Sequence, residues 1–300
     1  MNRRQFLAGL GATGLAGCSG SDGSPTGASA SPTSTPAGVE GASPATGPTA
    51  SPAPTAATGI PVRSGGFELV GVDAPSEVEL DESYTLAFSV RNPSERTRTF
   101  SAAVVTDAPG SAAWTDPGSW RETVDPGETV TLESRAFTGR QLGTVHHRLT
   151  AFDYRVDVEV VPRSLPFGAG YTTPTGVLLS ALGVGFHQSH EYTLSGYVYE
   201  ESAPPGKTWA FVTVYAENTA SSAALLPFKV NFSVLDGTSR YPYVRTHDPD
   251  GQYNGGRVPP GGVREGWVRF SVPASVEAED LAVAWRDNAY DPGLAVHWEA

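Results

Sequence analysis

The segment Tyr84-Thr85-Leu86-Ala87-Phe88-Ser89-Val90 places Tyr84, Leu86, Phe88 and Val90 on one face and Thr85 and Ser89 on the other. Successive side chains of a strand point to opposite faces, so this is the pattern of a half-buried β-strand. The same period of two returns where Val156, Val158 and Val160 alternate with Asp157 and Glu159. It returns again for Val230, Phe232 and Val234 against Lys229, Asn231 and Ser233, and for Val268, Phe270 and Val272 against Arg269 and Ser271. No comparable helical stripe follows Ala16. Turn signals punctuate these runs, among them Asn92-Pro93, Asp125-Pro126-Gly127, Asp236-Gly237 and Pro260-Gly261. Short strands separated by Gly and Pro turns predict an all-β fold of the sandwich or barrel type.

Two stretches form a weak internal repeat. Tyr84 to Ser94 reads YTLAFSVRNPS and is followed by VDPGETVTLESRAF from Val124, while Trp209 to Ser221 reads WAFVTVYAENTAS and is followed by VPPGGVREGWVRFSV from Val258. The spacing from strand-end Asn to Pro-Gly differs, 34 residues from Asn92 to Pro126 and 42 from Asn218 to Pro260. Surface-loop insertions are mild, each doubling of a loop costing only about 0.6 kcal/mol. The repeat therefore predicts two sandwiches, 61–162 and 163–300.

Residues 165–300 resemble the prokaryotic secreted-antigen immunoglobulin-like family. The resemblance is carried by Leu165-Pro-Phe-Gly168, Lys207 to Val214 ending at Asn218-Thr219, Phe232 to Gly237, Pro260-Gly261, Val268-Arg-Phe270 and Leu281 to Trp285. It implies an immunoglobulin-like sandwich on a surface protein or lipoprotein and supplies no catalytic residues. Residues 66–162 are similar, less specifically, to adhesion-type immunoglobulin-like modules with a PGETVTL strand. The chain has one Cys, so no disulfide joins the sheets and packing must hold each sandwich.

The start of the chain, MNRRQFLAGLGATGLAGCSG, joins the Arg3-Arg4 pair to an apolar stretch from Phe6 to Ala16. That length fits a secretory h-region and is too short to span a bilayer. The segment resembles a Tat-type lipoprotein signal over 1–17, with Leu15-Ala16-Gly17-Cys18 as the lipobox. The resemblance implies lipidation of Cys18, which would anchor the mature chain on the extracellular face of the cell membrane. A two-chain lipid holds stably at about 0.8 kcal/mol per buried methylene. A plain signal peptide cut near Ala16 is the competing interpretation. From 19 to 59 only Asp22, Val39 and Glu40 are not Ser, Thr, Pro, Ala or Gly. Such a segment buries too little apolar surface to offset its ordering entropy, so 18–60 is expected to be a disordered tether, either an inert spacer or an O-glycosylated stalk.

The candidate chemical sites are few. His146 and His147 are adjacent on a predicted strand and face opposite sides, so they cannot chelate one ion. His187 and His190 would diverge in the same way, and HQSHE is not the H-E-x-x-H arrangement. Asp248, Asp250 and Asn254 are weak metal candidates, with oxygen ligands near a Gly turn, but the stretch fails the EF-hand template at its Gly and at Pro259, and a polar hairpin loop explains it. No Gly-x-Ser-x-Gly elbow occurs. Trp114 and Trp120 sit in a turn-rich stretch where loop tryptophans stack on sugars or anchor a partner, or else fold back to cap the core. Asn231-Phe232-Ser233 is a glycosylation sequon, expected on the polar face of its strand.

Across 300 residues the formal charge is −12, with nine basic and 16 acidic residues in 61–162 and nine and 14 in 163–300. Both sandwiches are acidic, which disfavours nucleic acid. With 18 Arg and two Lys the composition resembles the exported proteins of salt-loving archaea. The expectation is a lipid-anchored, non-enzymatic surface module without cofactor, held to the membrane through Cys18 and contacting an envelope protein or glycan. The alternative is a sugar- or peptide-binding accessory subunit of a surface transporter or enzyme.

Overall fold

The computed structural model describes residues 62–109, 118–247, 250–287 and 293–300. Arg3, Arg4, Cys18, the tether, Trp114 and Asp248 lie outside them. The described residues belong to one compact unit.

The first half contributes β1 (Val62–Ser64), β2 (Phe67–Asp73), β3 (Glu77–Glu79), β4 (Ser83–Tyr84), β5 (Ala87–Arg91) and β6 (Arg98–Asp107). It continues with β7 (Ser119–Val124), β8 (Thr129–Glu133), β9 (Phe137–Thr138), β10 (Gly143–Leu149) and β11 (Tyr154–Val161). Sheet β1-β2-β5-β8 packs on sheet β3-β11-β10-β6-β7. Phe67 meets Phe100 across the gap edge to face at 5.2 Å, and Phe88 meets Trp120 at 6.0 Å. Leu86, Phe88 and Val90 are fully buried, as their alternation requires.

The second half contributes β12 (Arg163–Pro166), β13 (Tyr171–Thr172), β14 (Val177–His187), β15 (Ser189–Leu194), β16 (Tyr197–Ser202), β17 (Lys207–Asn218) and β18 (Ala224–Leu226). After these come β19 (Phe232–Asp236), β20 (Ser239–Pro242), β21 (Gly256–Val258), β22 (Val263–Pro273), β23 (Leu281–Asp287) and β24 (Leu294–Glu299). Sheet β13-β14-β17-β22 packs on sheet β12-β24-β23-β19-β20, with Tyr171 against Trp285. The fold is all-β, two immunoglobulin-like sandwiches.

The two halves share one plan. In each, a short strand joins the five-stranded sheet parallel to its last strand, β3 beside β11 and β12 beside β24, while the other named pairs are antiparallel. The repeat read from the sequence is a hydrogen-bonding unit. Asn92 is buried, and its Nδ2 donates to Arg96 O at 2.8 Å and Val124 O at 2.9 Å, while Oδ1 accepts from Ser94 N. Asn218 is buried too, and its Nδ2 donates to Ser222 O and Val258 O, while Oδ1 accepts from Ala220 N. Both main chains then lock onto the Pro-Gly turn: Gly127 N donates to Asn92 O at 2.8 Å, and Gly261 N to Asn218 O at 2.8 Å. A buried amide satisfied on both its donors and its acceptor fixes three segments at once, which is why Asn stands directly after β5 and at the end of β17.

One strand starts later than its sequence pattern. Lys229–Asn231 form a 3-10 turn and β19 begins at Phe232, leaving Val230 65% exposed and Ser233 buried. The turn rotates Val230 out of the alternation.

Candidate binding surface

His146 and His147 point to opposite sides of β10. His147 is buried, with Nε2 2.8 Å from Tyr84 Oη and Nδ1 3.0 Å from Thr106 Oγ1. Burial, reinforced by neighbouring His146 and opposed by Asp157, pushes the imidazole down to about 4. It is a neutral structural group, packed 4.4 Å from the Phe137 ring. His146 instead lies 2.8 Å from Asp157 Oδ1, which also accepts from Arg155 Nε at 2.6 Å.

Of the metal candidates in the loop before β21, Asn254 faces a cation already. Lys229 Nζ donates to Gln252 Oε1 at 2.7 Å and to Asn254 Oδ1 at 3.4 Å. Partial burial, and then Arg245, lower the ammonium from its ordinary range. Asp250 is exposed, and the loop is stitched to β22 through Tyr253 N to Trp267 O and Trp267 N to Gly251 O.

Trp120 lies in β7, half-buried, and not in a loop. Its Nε1 donates to Glu133 O at 3.0 Å while its ring packs on Phe88. Beside it opens a cavity of about 270 Å³ lined by Val104, Ser134, Arg135 and Phe137. Asn231 does not stand on a polar strand face either. Its Nδ2 donates to Arg286 O at 3.2 Å and its Oδ1 accepts from Phe228 N at 3.2 Å, so both ends of the amide are in use.

The surface that sequence pattern left unassigned is the ribbon β15–β16. Its turn is Ser195-Gly196, both at positive φ, 54° and 82°. Two-residue hairpins of type I′ need that geometry, and Gly supplies it without strain. The register pairs His190 with Glu201, Tyr192 with Tyr199 and Leu194 with Tyr197. These six side chains share one face, because directly opposed residues of a ladder point the same way. At the ribbon's base this face is anchored. His190 packs against Phe211 and Trp267, and Trp209 Nε1 donates to Glu201 O.

The strongest anchor is Arg269, 1% exposed, which forks to Glu201 at 2.8 and 3.1 Å, donates to Arg245 O and stacks 4.2 Å over Trp209. The alternation Val268/Phe270/Val272 assigned Arg269 to a polar outer face. It is on that face, but the ribbon covers it. Farther out the ribbon is open: Tyr197 is 70% and Val198 71% exposed. The rings of His190, Tyr192 and Tyr199 lie within 19° of parallel from one to the next. Alternating aromatics on either side of Ser-Gly were the sequence signal for this ribbon.

No family model matches the chain, and no curated protein does. Among solved structures it is similar to the yjhA protein of Bacillus subtilis, at 11% identity and a TM-score of 0.34 over 45% of this chain and 97% of that one. It is similar to ycdA, a proposed lipoprotein of Bacillus subtilis, at 14% identity and 0.31 over 43% of this chain and 37% of that one. An uncharacterised β-sandwich protein of Clostridium difficile gives 13% identity and 0.31 over 46% and 93%.

Proposed function

We propose that this chain is an exported, lipid-anchored surface protein that serves as a non-catalytic binding module. Arg3-Arg4 directs Tat export, Cys18 carries the lipid, and the tether holds two acidic sandwiches off an envelope of high external salt. The observation that carries the binding role is the ribbon β15–β16, whose distal residues Tyr197, Val198 and Tyr199 stand in solvent on a rigidly anchored base. Exposed aromatics held on a fixed scaffold are the residues from which recognition surfaces are built. Neutral His147 is committed to Tyr84 and Thr106, as a packing group would be.

The test is fractionation of cells producing the native chain or Cys18→Ala. The native chain partitions into the membrane and captures an envelope component, whereas Cys18→Ala is found in the medium. Equal release of both forms contradicts the anchor. Turnover of an envelope substrate that one point mutation abolishes contradicts the non-catalytic role. The accessory-subunit interpretation draws on the cavity beside Trp120 and Arg135, and a sugar or peptide whose binding is lost in Trp120→Ala would favour it.

A further inference from the structure

The ribbon β15–β16 is a sheet of two strands, and none of the described strands pairs with the outer edge of either. Ala203 N donates to Gln188 O at 2.7 Å, which makes Gln188 and Ala203 a hydrogen-bonded pair. Hydrogen-bonded and open pairs alternate along an antiparallel ladder. His190/Glu201, Tyr192/Tyr199 and Leu194/Tyr197 therefore spend their backbone groups on each other. The N–H and C=O of Val198 and Glu200 point outward from β16. The side chains of Val198 and Glu200 share a face with Thr193 and Glu191, and Tyr197 and Tyr199 occupy the opposite face.

We propose that the outer edge of β16 receives, by strand addition, an extended basic segment of a partner protein, an inference that rests on the chain being a binding module. Edge strands are ordinarily blunted by charged side chains, above all Lys, by Pro or by a bulge, and Tyr197-Val198-Tyr199-Glu200 carries no Lys, Pro or bulge, is rich in β-formers, and leaves Glu200 as its one charge. In strand addition the main chain supplies affinity and alternate side chains supply specificity.

Charge selects the occupant. Glu191 and Glu200 stand directly opposite each other, a repulsive arrangement, and neither is in an ion pair among the described residues. No Lys or Arg occurs between 188 and 206 to relieve them. A second copy would bring the same carboxylates to the same edge. The chain's own tether, 19–59, has no Lys or Arg and seven Pro, so it neither neutralises the edge nor forms a ladder on it. A bound strand would place Arg or Lys beside Glu200 and apolar residues beside Tyr199.

The experiment uses full-length protein at the lowest salt that keeps it folded, with fluorescent six-residue peptides of alternating Arg and Val, the same peptide with alternate amides N-methylated, and its Glu–Val counterpart. Anisotropy should show the Arg–Val peptide binding at least tenfold more tightly than either of the others. Val198→Pro should weaken it at least tenfold with the melting curve unchanged, because that N–H serves no bond within the ribbon. Glu200→Lys should invert the preference toward Glu–Val, whereas Glu122→Lys on the first sandwich should not. Equal binding of the N-methylated peptide to the native chain overturns strand addition even if Val198→Pro fails to fold. A preference lost in Glu122→Lys but kept in Glu200→Lys overturns the site. Cleavage of the peptide, seen by mass, would instead overturn the non-catalytic reading and leave the edge to be judged by the binding data.

Discussion

Replacing Asn92 by Ala removes a buried amide that serves three segments. Its bond to Val124 O is buried, and losing the partner of a buried carbonyl costs about 1–3 kcal/mol. The bonds to Arg96 O and from Ser94 N are part-buried, so water recovers part of them and each contributes about 0.5–1.5 kcal/mol. The expected loss is about 2–6 kcal/mol. For a sandwich near 100 residues each kcal/mol moves the midpoint by about 4–8 °C, so a fall of at least about 8 °C is expected. Urea denaturation followed by tryptophan fluorescence gives the free energy, and calorimetry gives the midpoint. Asn92→Asp should lose at least as much, since a carboxylate oxygen would then face two carbonyls, although the acceptor for Ser94 survives. Asn218→Ala should lose a similar amount or slightly less, its bond to Val258 O being longer at 3.3 Å. A loss below about 1 kcal/mol in both alanine variants would refute the view that these amides hold the repeat together.

Other consequences follow from single residues. His147 is held near 4 against an ordinary 6.5, so the unfolded chain binds the extra proton between these values. Its contribution, about 3 kcal/mol at 1.36 kcal/mol per unit, is complete above pH 6.5 and is lost on acidification toward pH 4; His147→Gln should flatten that slope in pH-dependent urea melts. Glu201→Ala leaves Arg269 buried without its carboxylate and should cost about 3 kcal/mol, the lower end for a broken buried pair because Glu201 is partly exposed; the readout is faster amide exchange across β15–β16. Arg269→Met, which removes the charge altogether, should cost less. Excess acidity in both sandwiches predicts a melting temperature that rises from low to molar KCl, and a curve unmoved by salt contradicts it.

The fold was legible because its core obeys the simplest rule of strands. Leu86, Phe88, Val90, Val268, Phe270 and Val272 are buried where alternation puts them, and the Asn and Pro-Gly signatures of the repeat mark real hydrogen-bonded corners. Val230 was misplaced because alternation does not register a 3-10 turn. Arg269 shows the larger difficulty: a polar residue on the outer face of a strand reads as solvated, and only a ribbon from elsewhere in the chain turns it into a buried anchor. The ribbon itself was written as Tyr-Val-Tyr after Ser-Gly. Its importance lies in what does not pair with it, a property of tertiary arrangement that no local pattern carries. Trp120 read as either a loop tryptophan or a cap on the core, and it packs on the core from within β7, a placement that depends on how β7 and β8 meet.

The open edge of β16 is tested most directly by hydrogen–deuterium exchange resolved at single amides in the full-length protein, alone and with the Arg–Val peptide. Alone, the amides of Val198 and Glu200 should exchange at least tenfold faster than those of Tyr197 and Tyr199, which bond within the ribbon, and the peptide should slow the former pair selectively. Val198 and Glu200 amides already as slow as Tyr199, or unmoved by saturating peptide, would contradict a free recognition edge.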